Sequence, residues 1–278
     1  AMPMNEVFTP GRLKEYEDWL LQRRLSWNTI STYMRTLQAV YNRLSPPGTP
    51  EHNPRLFDDV YTKVKSQIKR ALTEEQMGRL MHADLDVLSE ELQRVQAYFL
   101  LMFLFRGMPF IDLAHLRKRD VKDGKIAYRR HKTGKQITLR IPREALPLLK
   151  EFKDKDETSL YLFPILNAAP EGDDALYECY QKALRNFNKM LRVLAKRLLP
   201  GIKISSYTAR HTWATLAYHI GMPIGIICQA LGHSSIRVTE TYLKPFENEK
   251  VDKANRKLIS TVKKHEGRSG RCFIYYKT

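Results

Sequence analysis

Residues 205–242 read SSYTARHTWATLAYHIGMPIGIICQALGHSSIRVTETY. The stretch sets Arg210 beside His211, places His233 after the Leu231-Gly232 step, and ends on Tyr242. No Asp or Glu occurs between Cys179 and Thr239, whereas Lys182, Arg185, Lys189, Arg192, Lys203 and Arg237 all fall within that span. Uncompensated positive charge around a hydroxyl nucleophile suits a polyanionic substrate, and a DNA phosphodiester is the first candidate.

The rest of the composition agrees. The 278 residues suffice for one large or two small domains. The formal net charge of +17 is far from balance, which points to nucleic acid or an anionic membrane surface. No run of 18 apolar residues is present, so no membrane span is expected. No signal segment opens the chain, and a cytoplasmic protein is expected. Cys179, Cys228 and Cys272 lack metal-ligand spacing and read as small apolar residues in a reducing compartment. The opening Ala1-Met2-Pro3-Met4 reads as a cloning remnant, with more natural chain expected upstream.

Outward from the deciding stretch, the pattern is mainly helical. Thr9-Pro10 starts a helix whose apolar face holds Leu13, Tyr16, Trp19 and Leu20. A second helix over 28–44 buries Ile30, Tyr33, Met34, Leu37, Val40, Tyr41 and Leu44, with Arg35 on a polar side. Its aromatic residues are read as core. Pro46-Pro47-Gly48 breaks it, and a third helix over 56–64 is expected to close a small helical domain spanning 1–70. Lys63, Lys65, Lys69 and Arg70 form a basic linker, with Lys69 a candidate phosphate contact. Thr73 and Gln76 have capping-box spacing and open a second domain, 71–265, before a tail over 266–278.

In that domain a long helix over 90–106 is expected to end on Arg106, which then needs an anion or Asp112 as partner, and a short helix follows over 111–116. Residues 125–141 alternate as a β-hairpin turning at Thr133-Gly134. Its Arg129, Arg130, Lys132 and Lys135 stand without a compensating acid, so the tip reads as a phosphate or groove reader. Helices are expected over 142–152, 175–199, 207–220, 223–231, 236–243 and 249–264, with a short buried segment at 160–164 and a loop over 168–174. Lys203 precedes the deciding stretch as a further basic candidate.

A phosphodiester can be opened by a side-chain hydroxyl in line with the leaving oxygen, leaving a covalent ester that keeps the bond energy for resealing. Planar arginine forks meet the charge that builds on the nonbridging oxygens. A lysine or histidine can return the leaving oxygen's proton. Arg106, Arg210, His233, Lys132 and Tyr242 make such a set. No clustered carboxylates near these residues offer a magnesium site, and no phosphate-binding glycine loop occurs.

Taken together, Tyr207-Thr208-Ala209-Arg210-His211-Thr212, Leu231-Gly232-His233 and Thr239-Glu240-Thr241-Tyr242 resemble the signature of the tyrosine recombinase, or phage integrase, family. The resemblance covers nearly the whole chain. Arg106-Gly107-Met108-Pro109-Phe110 is similar to integrases of Bacteroides-type mobile elements. The resemblance implies the fold of DNA-breaking-rejoining enzymes, mainly α with a small antiparallel sheet, in two domains that clamp double-stranded DNA. It implies that Tyr242 forms a 3′-phosphotyrosine, that Arg210 and His233 stabilise the phosphate, and that Lys132 protonates the leaving oxygen, with Lys135 the alternative. It further implies a homotetramer on DNA, a Holliday junction, no cofactor, and possible accessory DNA-bending proteins. Two positions depart from the pattern. Pro109 stands where the family's first arginine is usual, with Arg106 three residues earlier as the stand-in. Tyr207 stands where histidine is usual, and reads as a phosphate ligand. A type IB topoisomerase-like relaxase and a non-catalytic DNA-binding protein are the competing readings.

Overall fold

The computed structural model of the protein describes residues 4–63, 71–83, 87–166 and 172–266. Lys65, Lys69 and Arg70 of the basic linker, most of the loop expected over 168–174, and the tail from 267 lie outside the described residues. The chain divides into two compact units, residues 1–68 and 69–278.

The first unit holds α1 (Met4–Val7), α2 (Pro10–Gln22) and α3 (Trp27–Leu44). Thr9 caps α2 through its hydroxyl, which accepts from Arg12 N–H, and Pro10 occupies the first turn, where its missing N–H costs nothing. Leu13, Leu20, Ile30, Met34, Tyr41, Leu56, Phe57 and Val60 form the core. Two expectations fail here. Residues 54–60 form successive turns instead of a third helix. Asn53 Oδ1 accepts from Arg55 N–H, and the carbonyls of Asn53, Arg55 and Phe57 accept from residues three further on, so the helical ladder never starts. Trp19, Tyr33, Val40 and Leu44 are exposed, because this small core takes only one apolar stripe from each helix. Trp19 instead stacks on Tyr16 and lies under the Arg23 guanidinium, 3.9 Å from its ring centre. Glu17 is buried, and Oε1 accepts from Tyr61 N–H at 2.6 Å while Oε2 pairs with Lys14.

The second unit opens on α4 (Glu74–Met81), with the Thr73–Gln76 capping box formed in both directions. Next comes α5 (Glu90–Leu104), buried without interruption from Val95 to Met102 and packed against α7 (Ala145–Phe152), α8 (Asp173–Leu198) and α9 (Ser206–His219). Each large side chain withdrawn from water contributes roughly 1.5–3 kcal/mol, so this central helix is the anchor of the unit. It stops at Leu104, two residues short of Arg106, because Arg106 and Gly107 both take left-handed backbone, with φ of 58° and 68°. Met108 N–H then satisfies the Met102 carbonyl. Short α6 (Phe110–Ala114) follows.

The expected hairpin is part of a three-stranded antiparallel sheet, β1 (Val121–Lys122), β2 (Lys125–Arg129) and β3 (Gln136–Arg140), in that order. Ile126 pairs with Leu139 and Tyr128 with Ile137 on the buried face; Lys125 pairs with Arg140 and Arg129 with Gln136 on the exposed face. The C-terminal part holds α10 (Ile224–Leu231), α11 (Ile236–Glu240) and α12 (Asn248–Glu266). α11 is shorter than the expected 236–243. Thr241 Oγ1 donates to the Val238 carbonyl and Tyr242 N–H to Thr239, which closes a tight turn and releases Tyr242 from the helix. Among the described residues no helix is long and apolar enough to cross a membrane.

Candidate active site

Four segments of the second unit meet at Arg210. It lies in the first turns of α9, where Ser205 N–H donates to Thr208 Oγ1 and Ser206 N–H to Asn188 Oδ1 of α8. Arg210 is 3% exposed and spends three of its five N–H donors on the protein. It donates to the Gly107 carbonyl at 2.8 Å, to the Leu231 carbonyl at 2.6 Å and to His233 Nε2 at 2.9 Å. The backbone at 107 can approach because glycine stands there: a Cβ at Gly107 would lie 3.1 Å from Arg210 Cα, at a φ of 68°.

His233 follows the left-handed Gly232 that ends α10. Arginine has no acceptor, so the Arg210 contact requires His233 Nε2 to be unprotonated; Nδ1 then carries the hydrogen and donates to Thr239 Oγ1 at 2.9 Å. Burial, then Arg210, Arg130, Lys135 and Lys132, push the imidazole pKa down to about 4. The folded protein therefore binds this proton less readily than the unfolded chain. Stability from this group is complete above about pH 6.5 and is lost as pH falls towards 4. Melting curves at pH 7 and pH 5 should show a loss of roughly 1–2 kcal/mol that is missing in His233→Gln. An equal loss in that variant would assign the acid sensitivity elsewhere.

Tyr242 is held by its backbone. Its carbonyl accepts from His211 Nδ1 at 3.3 Å and Thr215 Oγ1 at 3.2 Å, both on α9. Its ring lies 4.6 Å from the His211 ring, 4.9 Å from the His233 ring and 5.5 Å from Arg210 Cζ. His211 thus orients the tyrosine segment.

The other expected residues are placed less uniformly. Lys132 is exposed on the hairpin turn, and its charge acts on His233. Lys135, also at the turn, reaches the His233 carbonyl at 3.5 Å. Arg106 is half-buried next to the Gly107 carbonyl that Arg210 holds, and both guanidinium charges act on Tyr128. Tyr207 is 54% exposed and lines a cavity of 260 Å³ with Pro109, Phe110, Tyr180 and Arg210, so both departures from the family pattern border one hollow. Arg129 and Lys203 are exposed, as is Arg35 in the first unit; Lys69 lies outside the described residues.

Arg130 corrects two expectations. It is 7% exposed, not a residue of the open basic face, and its partner is Asp112, which was expected to serve Arg106. Arg130 Nε donates to Asp112 Oδ2 at 3.2 Å and Nη1 to the Leu231 carbonyl at 2.6 Å. The alternation of β2 carries the signal: Ile126 and Tyr128 face inward, and Arg130 continues that parity. The carbonyls of Gly107 and Leu231 left no sign in the sequence, and Thr239 stands there only as part of a motif, with no role of its own. Among the described residues no three His, Cys, Asp or Glu side chains group as a metal site.

A sequence model of the phage integrase family matches residues 70–249, more than half of the chain. The chain belongs to the phage integrase family. Within it, the tyrosine recombinase XerA of Pyrococcus furiosus is 28% identical over 248 residues, 85% of this chain and 79% of that protein. A tyrosine recombinase of Thermosipho africanus is 23% identical over 226 residues, 81% of this chain and 74% of its own length. The solved structure of the Tn1549 transposon integrase in complex with circular intermediate DNA is similar with a TM-score of 0.59 at 17% identity, over 93% of this chain and 87% of that one. A lambda integrase dimer bound to a core site gives 0.53 at 16% identity, over 84% and 79%. These two likenesses show that this phage integrase family member shares their fold.

Proposed function

We propose that Tyr242 is the nucleophile of a site-specific DNA recombinase, with Arg210 and His233 as its phosphate ligands. Site-specific recombination is the activity that goes with the family and with the tyrosine recombinases among its relatives. The observation that carries the residue roles is the meeting of Arg210, His233 and the Tyr242 ring at one point on three separate segments. Tyr242 Oη gives up its proton to solvent as it attacks the scissile phosphorus, the bond to the 5′ oxygen breaks, and a 3′-phosphotyrosine forms as the 5′ oxygen takes a proton from the Lys132 ammonium. The same bond exchange with another strand's 5′-hydroxyl reseals the DNA, and because one ester replaces another no nucleotide is consumed.

Arg210 turns the guanidinium edge that meets Tyr242 towards the nonbridging oxygens, and Arg106 brings a second guanidinium. His233 donates once a bound phosphate offsets the cations that hold its pKa down. Lys132 donates its own proton to the leaving oxygen, and Tyr207, exposed at the rim, donates to the phosphate. The 1–70 region, with Arg35 and Lys69, and the exposed Arg129, Lys135 and Lys203 bind the double-stranded DNA backbone around the cut, in a bacterial cytoplasm. The narrower kinship with integrases of Bacteroides-type mobile elements rests on the run Arg106–Phe110. Exchange proceeds in a tetramer through a Holliday junction, with accessory bending proteins where the site requires them.

Footprinting on DNA flanking the gene identifies the site, and a nicked suicide duplex spanning it should trap a covalent adduct whose DNA-bearing peptide contains Tyr242. An adduct on any other residue sinks the assignment.

The last helix supports assembly in trans. Val251, Leu258, Ile259 and Val262 of α12 are 46–63% exposed. An amphipathic helix with an uncovered apolar face is completed by a neighbouring copy. Truncation after Phe246 should leave DNA binding but abolish cooperative assembly, read from the stoichiometry of the complex by light scattering. Unchanged cooperativity would remove the trans-docking role.

A further inference from the structure

We infer that Arg130 is a positioning residue for the leaving-group proton: buried beneath the hairpin, it locks the tip that carries Lys132 against the Leu231–His233 cap. The inference rests on the phosphotyrosine reading above and adds a residue to it.

The geometry is that of a clamp with two jaws. Arg130 Nε holds Asp112 Oδ2 of α6, whose side chain is fully buried, and Nη1 holds the Leu231 carbonyl, the same oxygen that Arg210 holds. Asp112 Oδ1 accepts from the His131 backbone N–H at 2.9 Å, one residue before Lys132. Arg130 also closes the turn itself: its N–H donates to Lys135 and its carbonyl accepts from Gly134. The chain carrying Lys132 is therefore tied at its base to α6 by Asp112 and to the cap of α10 by Arg130. Gly232 keeps this contact short, since a Cβ there would lie 2.9 Å from Arg130 Cδ and 2.7 Å from Ile137 Cδ1.

A buried ion pair adds little to stability that apolar residues of equal volume could not supply, because both charges must leave water. Its use here is directional. The arginine fork joins a carboxylate and a carbonyl that no apolar side chain could connect, and lysine cannot span both. A shift of about 1 Å in a catalytic group can slow a reaction by about a hundredfold. Because Arg130 is buried, it does this without facing DNA.

Three measurements on Arg130→Lys test the inference. On the nicked suicide duplex, adduct formation at saturating protein should slow at least about tenfold, while the dissociation constant for the duplex stays within about twofold. On the same duplex with sulfur replacing the bridging 5′ oxygen, the deficit should shrink to about two- to threefold, because a thiolate leaves without a proton and Lys132 is no longer needed. Asp112→Asn, which keeps an acceptor for His131 N–H and loses the charge, should show the same pattern, and stands in if Arg130→Lys does not fold. A deficit that persists with sulfur shows that the proton step is not what Arg130 serves and overturns the inference. So does a loss of affinity equal to the loss of rate, which would make Arg130 a DNA contact. Absence of any adduct from the unsubstituted chain would overturn the phosphotyrosine reading itself, and this inference with it.

Discussion

Tyr242→Phe is expected to form no covalent adduct on the nicked suicide duplex while binding it as tightly as the unsubstituted protein. The structure explains why the two effects separate. The segment is placed by its backbone, through the Tyr242 carbonyl that accepts from His211 and Thr215, and phenylalanine keeps both bonds. The ring, packed beside His211 and His233, is also kept. Only the hydroxyl is lost, with the side-chain hydrogen bond it shares with Arg210, from a residue that is partly exposed, so the folded state should change by no more than about 1 kcal/mol. The proposed chemistry, in contrast, loses its nucleophile outright, and nothing else attached to that ring can attack phosphorus. Denaturing gels of labelled duplex give the adduct, and binding titrations and melting curves give the controls. Undiminished adduct would move the nucleophile elsewhere. The first hydroxyl to examine would then be Tyr207, which is exposed and borders the same hollow as Arg210.

The residues that make covalent chemistry plausible were legible because they cluster in sequence. Arg210, His233 and Tyr242 lie within one stretch, and the turns between them are short enough for their order to imply proximity. The helix starts at Thr9 and Thr73 were legible for a different reason: a cap satisfies its own first turn, so its signal is local. What could not be read were contacts made by backbone atoms or across long separations. The carbonyls of Gly107 and Leu231 hold Arg210, yet a carbonyl has no letter. Asp112 stands six residues from Arg106, and sequence proximity suggested that pairing. The fold gives it to Arg130, eighteen residues away, because Arg130 points inward beneath the sheet. The exposed Trp19 and Tyr33 show the same limit in the first unit. Helical periodicity marks an apolar stripe, but only the size of the core decides how much of the stripe is covered.

Arg210→Lys should be the most damaging substitution that retains charge. Lysine is shorter and cannot reach all three acceptors Arg210 now serves, and it has no planar fork to present to two phosphate oxygens. Removing a donor aimed at developing charge costs about 10²–10³ in rate, so cleavage on the suicide duplex should fall by at least that factor. Stability should fall too, by roughly 1–3 kcal/mol, because the shorter lysine cannot reach the Gly107 and Leu231 carbonyls and His233 Nε2 together. The effect on His233 follows from the same contact. Arg210 is the charge that contributes most to lowering the imidazole pKa, after burial itself. With a shorter cation held less closely, that pKa should rise towards its ordinary value, so the acid-sensitive window of stability narrows from its lower edge. Adduct kinetics, melting temperatures at pH 7 and pH 5, and the His233 ring resonances across that range measure the three effects on one variant. Cleavage within about threefold of the unsubstituted rate would mean that a single ammonium suffices at this position, and that the fork geometry is not what stabilises the phosphate.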